Sequence, residues 1–174
     1  MSDERHLYLL RHAKSSWEDP GLPDHERPLA PRGHRALKVI SEYLTENAVS
    51  PELVLCSPAR RTRQTLDGIP NAGRILIEEP LYGASSDQLL ERLRRLPADT
   101  GSAMVIGHNP ALQMLILKLA GARGVPPTGP LAEIERKFPT AALATLTLHC
   151  GWAELRGGCA ELTGYASPKA LSYG

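Results

Sequence analysis

The chain has 174 residues, of which 42% are hydrophobic and 22% are charged, and its formal net charge at neutral pH is +1. This length suits a single domain with a substantial core over residues 1–174, and the composition excludes a disordered chain. A net charge so close to zero gives no reason to expect a general nucleic-acid binder or a membrane-surface binder.

The first residues, the apolar runs and the cysteines indicate the cellular compartment. The first five residues are polar and run straight into an apolar stretch, unlike a signal peptide, and no apolar run approaches the roughly 18 residues of a membrane span. Cys56, Cys150 and Cys159 lack C-x-x-C spacing. They are therefore predicted to be buried thiols rather than disulfides or metal ligands, and we expect a cytoplasmic protein.

Strand and helix patterns alternate through the first 121 residues. The apolar run at 7–10 predicts a buried strand, the proline-rich stretch 15–31 predicts a long loop, and the apolar stripe over 32–47 predicts a helix. The remaining elements are, in order, a strand at 53–56, a helix opened by Ser57-Pro58, a strand at 74–77, a helix over 85–96 capped by Ser85 or Ser86, a strand at 103–106, and a helix from Asn109-Pro110 to Gly121.

The last third of the chain has a different pattern. A loop rich in glycine and proline is predicted at 121–130, followed by strands at 141–149 and 159–165 that form a hairpin around Trp152 at a sheet edge. The last eight residues are expected to be loosely held. Alternating strands and helices predict an α/β fold, a single three-layer α/β/α domain whose mixed sheet is mostly parallel.

Reactive side chains follow three of the predicted strands. The first strand ends in Arg11-His12, the second runs into the basic segment 57–65, which contains Arg61, and the fourth ends in Gly107-His108. The carboxyl ends of parallel strands share one sheet edge, where ligands bind. Two helices are also predicted to begin there, directing backbone N–H groups and positive dipole ends to the same place. Imidazoles, guanidinium groups and helix ends together predict a site for a dianion, most plausibly a phosphoryl group.

Four segments resemble the histidine phosphatase superfamily, also called the phosphoglycerate mutase-like fold, in its small SixA-like branch of phosphohistidine phosphatases. Residues 10–13 resemble the R-H-G signature, and residues 57–65 are similar to the pattern S-P-x-x-R-x-x-Q-T. Residues 107–110 resemble the second histidine segment, and residues 27–33 resemble the R-P-L-x-x-x-G element of the SixA-like branch. The segments occur in the family's order and span most of the chain.

The resemblance implies a role for each matching position. His12 would be the nucleophile, phosphorylated during turnover, and Arg11 and Arg61 would clamp the phosphoryl oxygens. His108 would complete the pocket as a cation or a hydrogen-bond donor, and Arg27 would fold over the site from the long loop. No metal and no cofactor are implied, because arginines and helix ends can neutralise the phosphoryl group.

The sequence departs from the family pattern at two points. Ala13 stands where the family has glycine; one extra methyl group is a small change, and we expect activity to be retained. A general acid cannot be assigned either, since Glu78, Glu79 and Asp87 fit no pattern. Only nine residues, 78–86, separate the third strand from its helix, which leaves no room for a lid.

These departures bear on the substrate. An alkyl phosphate leaves as a poor alkoxide and needs a proton donor, whereas a phosphohistidine leaves as imidazole. We therefore expect dephosphorylation of protein phosphohistidine by a monomer that binds neither nucleic acid nor membrane. Two alternatives stay open, a phosphomonoesterase acting on a small phosphorylated metabolite and a phosphate-binding module without turnover.

Several nearby residues keep two interpretations. Ser57 and Asn109 are expected to be helix N-caps, and Thr65 either lines the pocket or caps locally. Lys14 either adds positive potential at the mouth or is simply solvated. Trp17 either borders the site or packs at the edge of the core.

Overall fold

A six-stranded mixed sheet forms the middle layer of the computed structural model, which describes residues 4–172. The strands are β1 (Arg5–Arg11), β2 (Leu53–Cys56), β3 (Arg74–Ile77), β4 (Ser102–Gly107), β5 (Leu143–Leu148) and β6 (Ala160–Ala166). Their spatial order is β3-β2-β4-β1-β5-β6. The first four strands are mutually parallel, and β5 and β6 join antiparallel beside β1.

Helices cover both faces of the sheet. They are α1 (Pro31–Glu46), α2 (Arg60–Leu66), α3 (Ser86–Arg94), α4 (Ala111–Ala120), α5 (Gly129–Arg136) and α6 (Pro168–Ser172). Short 3-10 helices occur at Asp24–Glu26, Glu79–Leu81 and Trp152–Glu154. This architecture confirms the predicted three-layer α/β/α fold with a mostly parallel mixed sheet.

Alternation along the central strands divides the core in two. Leu7 and Leu9 of β1 pack into a buried cluster with α3, α4 and α5, whereas Leu10 packs into a second cluster with α1. Successive side chains of a strand point to opposite faces, so a run of apolar residues serves both layers. This explains why the apolar run at 7–10 gave no alternating pattern and still formed a central strand.

Two predicted helix starts are wrong by a few residues. α2 begins at Arg60 with Ala59 as its N-cap, so Ser57 and Pro58 form a turn before it. The hydroxyl of Thr62 donates to the carbonyl oxygens of Ser57 and Ala59, at 2.7 and 2.8 Å, and holds this turn against the helix. α4 begins at Ala111 with Pro110 as its N-cap. Asn109 Oδ1 still accepts a hydrogen bond from the backbone of Gln113, at 3.3 Å.

The C-terminal third also differs from the prediction. Gly129 and Pro130 were predicted as loop, yet they begin α5, whose Ile134 is fully buried. Proline suits the first turn of a helix, so a Gly-Pro pair is compatible with a helix start as well as with a turn. Residues 168–172 were expected to be loosely held and instead form α6, whose Leu171 packs against the α1 cluster. The last two residues lie outside the described range.

The predicted long loop at 15–31 is folded back on itself. A short antiparallel bridge joins Ser15 to Leu29, and the backbone of Ser16 donates to the carbonyl of Pro28 at 2.8 Å. Gln64 of α2 accepts a hydrogen bond from the backbone of Leu29, at 2.7 Å. The loop therefore lies against α2, at the sheet edge where β1 and β2 end.

Two further predictions concern thiols and membrane spans. All three cysteines are free, with Cys56 and Cys159 buried and Cys150 half-buried. Within residues 4–172, no helix combines the length and apolarity that crossing a membrane requires.

Candidate functional site

Three neighbouring strands of the sheet end at one place. His12 follows β1, Ser57 follows β2 and His108 follows β4, and β4 lies between the other two strands. The backbones of His12 and Ser57 both donate to carbonyls at the end of β4, each at 3.1 Å. The imidazole rings of His12 and His108 lie 5.3 Å apart, centroid to centroid. The structure therefore brings together the histidines that the sequence analysis singled out.

The imidazole of His12 is held in one orientation by the backbone of the next residue. Its Nδ1 donates to the carbonyl oxygen of Ala13 at 2.7 Å, an assignment of the proton that follows from the acceptor beside it. The other ring nitrogen, Nε2, is then unprotonated. Burial, opposed in part by that hydrogen bond, lowers the pKa of His12 to about 3, and the charges of Arg61 and Arg11 contribute. At neutral pH His12 is an uncharged imidazole with a free lone pair, which is the nucleophilic form.

His108 contacts a residue that follows β2 and a residue of α2. Its Nε2 lies 2.7 Å from Ser57 Oγ, and its Nδ1 lies 3.5 Å from Nη2 of Arg61. Since the guanidinium can only donate, Nδ1 is the acceptor and Nε2 donates to Ser57. Burial, and then the charge of Arg61, lowers the pKa of His108 to about 4. Of the two forms left open for His108, the hydrogen-bond donor is the one present in the free site.

Arg61 projects from α2 and is bound by a carboxylate that the sequence analysis did not single out. Its Nη2 donates to Asp24 Oδ2 at 3.0 Å, and its Nη1 donates to the Asp24 carbonyl at 2.8 Å. The hydroxyl of Tyr82 donates to the same Oδ2 at 2.6 Å. The hydrogen bond from Tyr82, with support from Arg61, lowers the pKa of Asp24 to about 2. This carboxylate is therefore ionised at neutral pH.

Arg11 approaches the cluster from the end of β1. Its Nη1 donates to the carbonyl of Phe138 at 2.9 Å. Within the described part of the chain, its buried Nε has no hydrogen-bond partner. Burial and the neighbouring charge of Arg61 lower the pKa of the Arg11 guanidinium. A second guanidinium beside Arg61 gives the site a concentration of positive charge suited to an anion.

Arg27 is buried beneath the folded loop. Its Nη2 donates to Ser15 Oγ at 2.8 Å and its Nε to the carbonyl of Ser16 at 3.0 Å. Its Nη1 donates to Asp24 Oδ1 at 3.3 Å, whereas Arg61 donates to Oδ2, so the two arginines bind different oxygens of the same carboxylate. The Trp17 ring, 68% exposed, stacks on the guanidinium at 3.1 Å. Trp17 thus lies at the edge of the site rather than in the core.

The acids considered from the sequence lie elsewhere or make no contact with the cluster. Glu78 accepts hydrogen bonds from Arg92 on α3, and Asp87 pairs with Lys118 on α4. Glu79 is exposed. Asp24 was missed because its sequence signal is only its position three residues before Arg27, in a loop whose fold could not be predicted.

Ala13 and Thr65 connect the first strand to α2. The backbone N–H of Ala13 donates to Thr65 Oγ1 at 3.0 Å, and that hydroxyl donates to the carbonyl of Arg61 at 2.7 Å. Both residues are fully buried, and Ala13 belongs to the cluster that contains Leu10. The Thr65 hydroxyl thus joins the backbone of Ala13 to that of Arg61, and the Ala13 methyl group is accommodated in the core.

The assembled groups favour chemistry on an anion. A neutral imidazole nitrogen, two guanidinium groups and a second imidazole converge, and positioning and charge stabilisation are what phosphoryl transfer chiefly requires. Among residues 4–172, no three histidine, cysteine or acidic side chains lie close enough together to hold a metal ion.

Comparisons with known proteins agree with this geometry. The profile of the histidine phosphatase superfamily (branch 1) matches residues 7–81, which include His12, Asp24, Arg27 and Arg61. An uncharacterized protein of Mycobacterium tuberculosis is 39% identical over 163 residues, which are 92% of this chain and 100% of that protein.

Solved structures are similar over nearly the whole chain. A candidate phosphohistidine phosphatase SixA from Nakamurella multipartitia is 31% identical, with a TM-score of 0.83 over 95% of this chain and 96% of its own. A second such SixA protein, from Agrobacterium tumefaciens, is 28% identical, with a TM-score of 0.78 over 94% of this chain and 99% of its own.

Proposed function

Because this chain belongs to the histidine phosphatase superfamily, in its SixA-like branch, and is a phosphatase, we propose that it dephosphorylates phosphohistidine in proteins through a phosphohistidine intermediate on His12. The observation that carries the choice of substrate is the ionised Asp24 at the site. The SixA proteins to which the chain is similar support the same choice.

In the first step, Nε2 of His12 attacks the phosphorus atom of the substrate. The P–N bond to the substrate imidazole breaks as the new P–N bond to His12 forms. The hydrogen bond from Nδ1 to the Ala13 carbonyl supports this role, because it leaves Nε2 as the free nitrogen and stabilises the positive charge that the ring acquires.

Arg61, Arg11 and His108 stabilise the transferring phosphoryl group. The guanidinium groups contact its equatorial oxygens, and the His108 ring supplies a hydrogen bond after releasing Ser57 or accepts a proton as the dianion raises its pKa. Arg61 exchanges part of its contact with Asp24 for the substrate. Arg27 acts on the bound group through Asp24 and the loop, because its own donors already bind Ser15 and Ser16.

The leaving group decides between the possible substrates. In the free site the pKa of the Asp24 carboxyl is about 2, chiefly because Tyr82 donates to it. That hydrogen bond does not depend on Arg61, so we expect Asp24 to have no proton to give at neutral pH. A departing alkoxide would need that proton, and a departing imidazole takes one from solvent. In the second step, water attacks the phosphorus atom on His12, which releases inorganic phosphate and restores the neutral imidazole.

The test is phosphate release from a histidine-phosphorylated protein and from a panel of phosphomonoesters, with and without chelator, by wild type and His12→Ala. We expect chelator-resistant release from the phosphohistidine protein and complete loss of release in the variant. The intermediate is tested by quenching wild-type turnover in acid and in alkali. Phosphate should remain on the enzyme only after the alkaline quench, because phosphohistidine is preserved in alkali and lost in acid. Release from phosphomonoesters alone would contradict the proposed substrate.

A further inference from the structure

A basic groove lies next to the site but contains none of its residues. It has a volume of about 550 Å³ and lies between α1, α6 and the segment before β5. Four cations line it: Lys14, Arg32, Arg35 and Lys169. Its other lining residues are mostly apolar: Ala36, Val39, Pro139 and Pro168, with Thr140 and Ser172. We call this surface the basic groove.

Among residues 4–172, the cations of the basic groove have no carboxylate partner. The ion pairs within residues 4–172 involve none of them, although Arg27, Arg61, Arg92, Arg94 and Lys118 each have a carboxylate partner. No acidic residue of the described range 4–172 lines the groove. In a chain of net charge +1, four cations in one groove, with no ion pair to any described carboxylate, are a local excess of positive charge.

The helix that carries two of these cations adds to the field. α1 begins at Pro31, its N-cap Ala30 makes no side-chain cap, and its first turn holds no acid. Arg32 lies in that first turn and Arg35 one turn further on. A cation in the first turn of a helix opposes the helix dipole, and this applies most strongly to Arg32. An anionic partner would convert this unfavourable arrangement into a favourable one.

The basic groove is close to the nucleophile. Lys14 is two residues from His12, so their Cα atoms are separated by at most about 7 Å. On the opposite wall, Pro139 follows Phe138, whose carbonyl accepts the hydrogen bond from Arg11. A polypeptide presenting a phosphorylated side chain to His12 can therefore reach this groove with its flanking residues.

We infer that the basic groove docks an acidic segment of the phosphorylated protein, flanking its phosphohistidine. This inference rests on the proposed function and names a recognition feature of its substrate. The polar side chains that line the basic groove are exposed or half-buried in the described chain, and four apolar residues line the groove with them. Long cations beside apolar lining residues match a protein surface of carboxylates and apolar groups better than a small anion.

The test uses two synthetic peptides with a central phosphohistidine, one flanked by four glutamates and the other by four glutamines. Wild type, Arg32→Glu/Arg35→Glu and the control Lys38→Glu/Arg123→Glu are compared by kcat/KM at low ionic strength. The control makes the same change of charge at exposed cations outside the basic groove. The groove variant places acids near a helix N-terminus, where they favour the helix, so it is expected to fold.

We expect wild type and the control to prefer the glutamate peptide by about tenfold, mainly through KM, and the preference to shrink at high salt. The groove variant should lose the preference for the glutamate peptide. Equal rates on both peptides by wild type, or equal loss in the control, would overturn the inference while leaving the proposed function intact.

If wild type hydrolyses neither peptide, the proposed function fails, and binding at the basic groove is then tested without turnover. The unphosphorylated glutamate peptide is then titrated onto the three proteins. Binding at least about fivefold weaker in the groove variant than in wild type and the control would support the basic groove. Equal binding to all three would exclude it.

Discussion

Two uncharged imidazoles lie among two guanidinium groups at the centre of this site. His12 and His108 stay neutral at pH 7 because burial and the neighbouring arginines disfavour their protonation. Asp24 balances part of that positive charge from the loop, with Tyr82 as its second donor. We propose that an anionic phosphoryl group replaces contacts that the free site makes with its own carboxylate.

Replacing Arg61 with alanine should lower kcat/KM on a phosphohistidine peptide by roughly two to four orders of magnitude. The variant loses a charge contact to the transferring group, and Asp24 is left in the site without its main partner. Arg63→Ala on the same helix is the matched control, because Arg63 is exposed, and it should keep wild-type activity. Equal losses in the two variants would remove the specific role of Arg61.

Asp24→Asn separates the roles of proton donor and charge partner. The carboxyl is already ionised in the wild type, so we expect kcat on a phosphohistidine peptide to stay within about threefold, since loss of a general acid typically costs about 10²–10⁴. Inorganic phosphate should inhibit the variant more strongly, because Arg61 no longer faces a competing anion. A hundredfold loss of kcat would instead identify Asp24 as a proton donor. Asp19→Asn on the same loop serves as the control.

At the scale of elements, the loop at 15–31 and the start of α1 hold the segment after His12. The carbonyl of Lys14 accepts a hydrogen bond from the backbone of Ala30, at 2.8 Å. Gly33 packs on that same carbonyl, and a Cβ there would lie inside van der Waals distance of its oxygen. The glycine of the R-P-L-x-x-x-G element therefore allows a close approach between α1 and the segment that follows His12.

Gly33→Ala should reduce the free energy of unfolding by about 1–2 kcal/mol, because overpacking against backbone outweighs the helix propensity of alanine. It should also reduce kcat, since Lys14 and then Ala13 must shift. Urea denaturation and peptide turnover measure the two effects. Gly107→Ala is the control, because its added Cβ would find Leu112 at an ordinary 3.8 Å. A Gly33→Ala protein as stable and active as wild type would show that the contact is easily relieved.

At the scale of the whole molecule, the strand order decides what the site contains. β4 lies between β1 and β2, so segments separated by 45 to 96 residues of chain meet at one edge of the sheet. Burial of two imidazoles at that edge has a consequence for the stability of the entire fold. An imidazole with a lowered pKa opposes folding at acidic pH, since the unfolded chain then binds protons that the folded chain excludes.

The free energy of unfolding should therefore fall as the pH is lowered from 7 to 5. Folded pKa values of about 3 and 4 lie below the ordinary value of 6.5, so each histidine removes about 1–2 kcal/mol over this interval. Urea denaturation at both pH values tests this in wild type and in His12→Asn/His108→Asn, which should lose most of the dependence. His34→Asn controls for removal of an exposed imidazole. An unchanged slope in the double variant would contradict the assigned cause.

The sequence by itself determined the order and type of most elements, and it singled out His12, Arg11, Arg61 and His108 as the predicted site residues. Apolar runs and turn residues are local signals, and the four motif segments carry their own side chains, so neither needed the tertiary structure. The tertiary structure alone decided the partner of Arg61, the acceptor for Thr65, the burial of Arg27 and the gathering of four cations in the basic groove. Each of these depends on how the loop at 15–31, α1 and α6 pack against the sheet. Packing joins residues far apart in the chain, and no local pattern records which of them will meet.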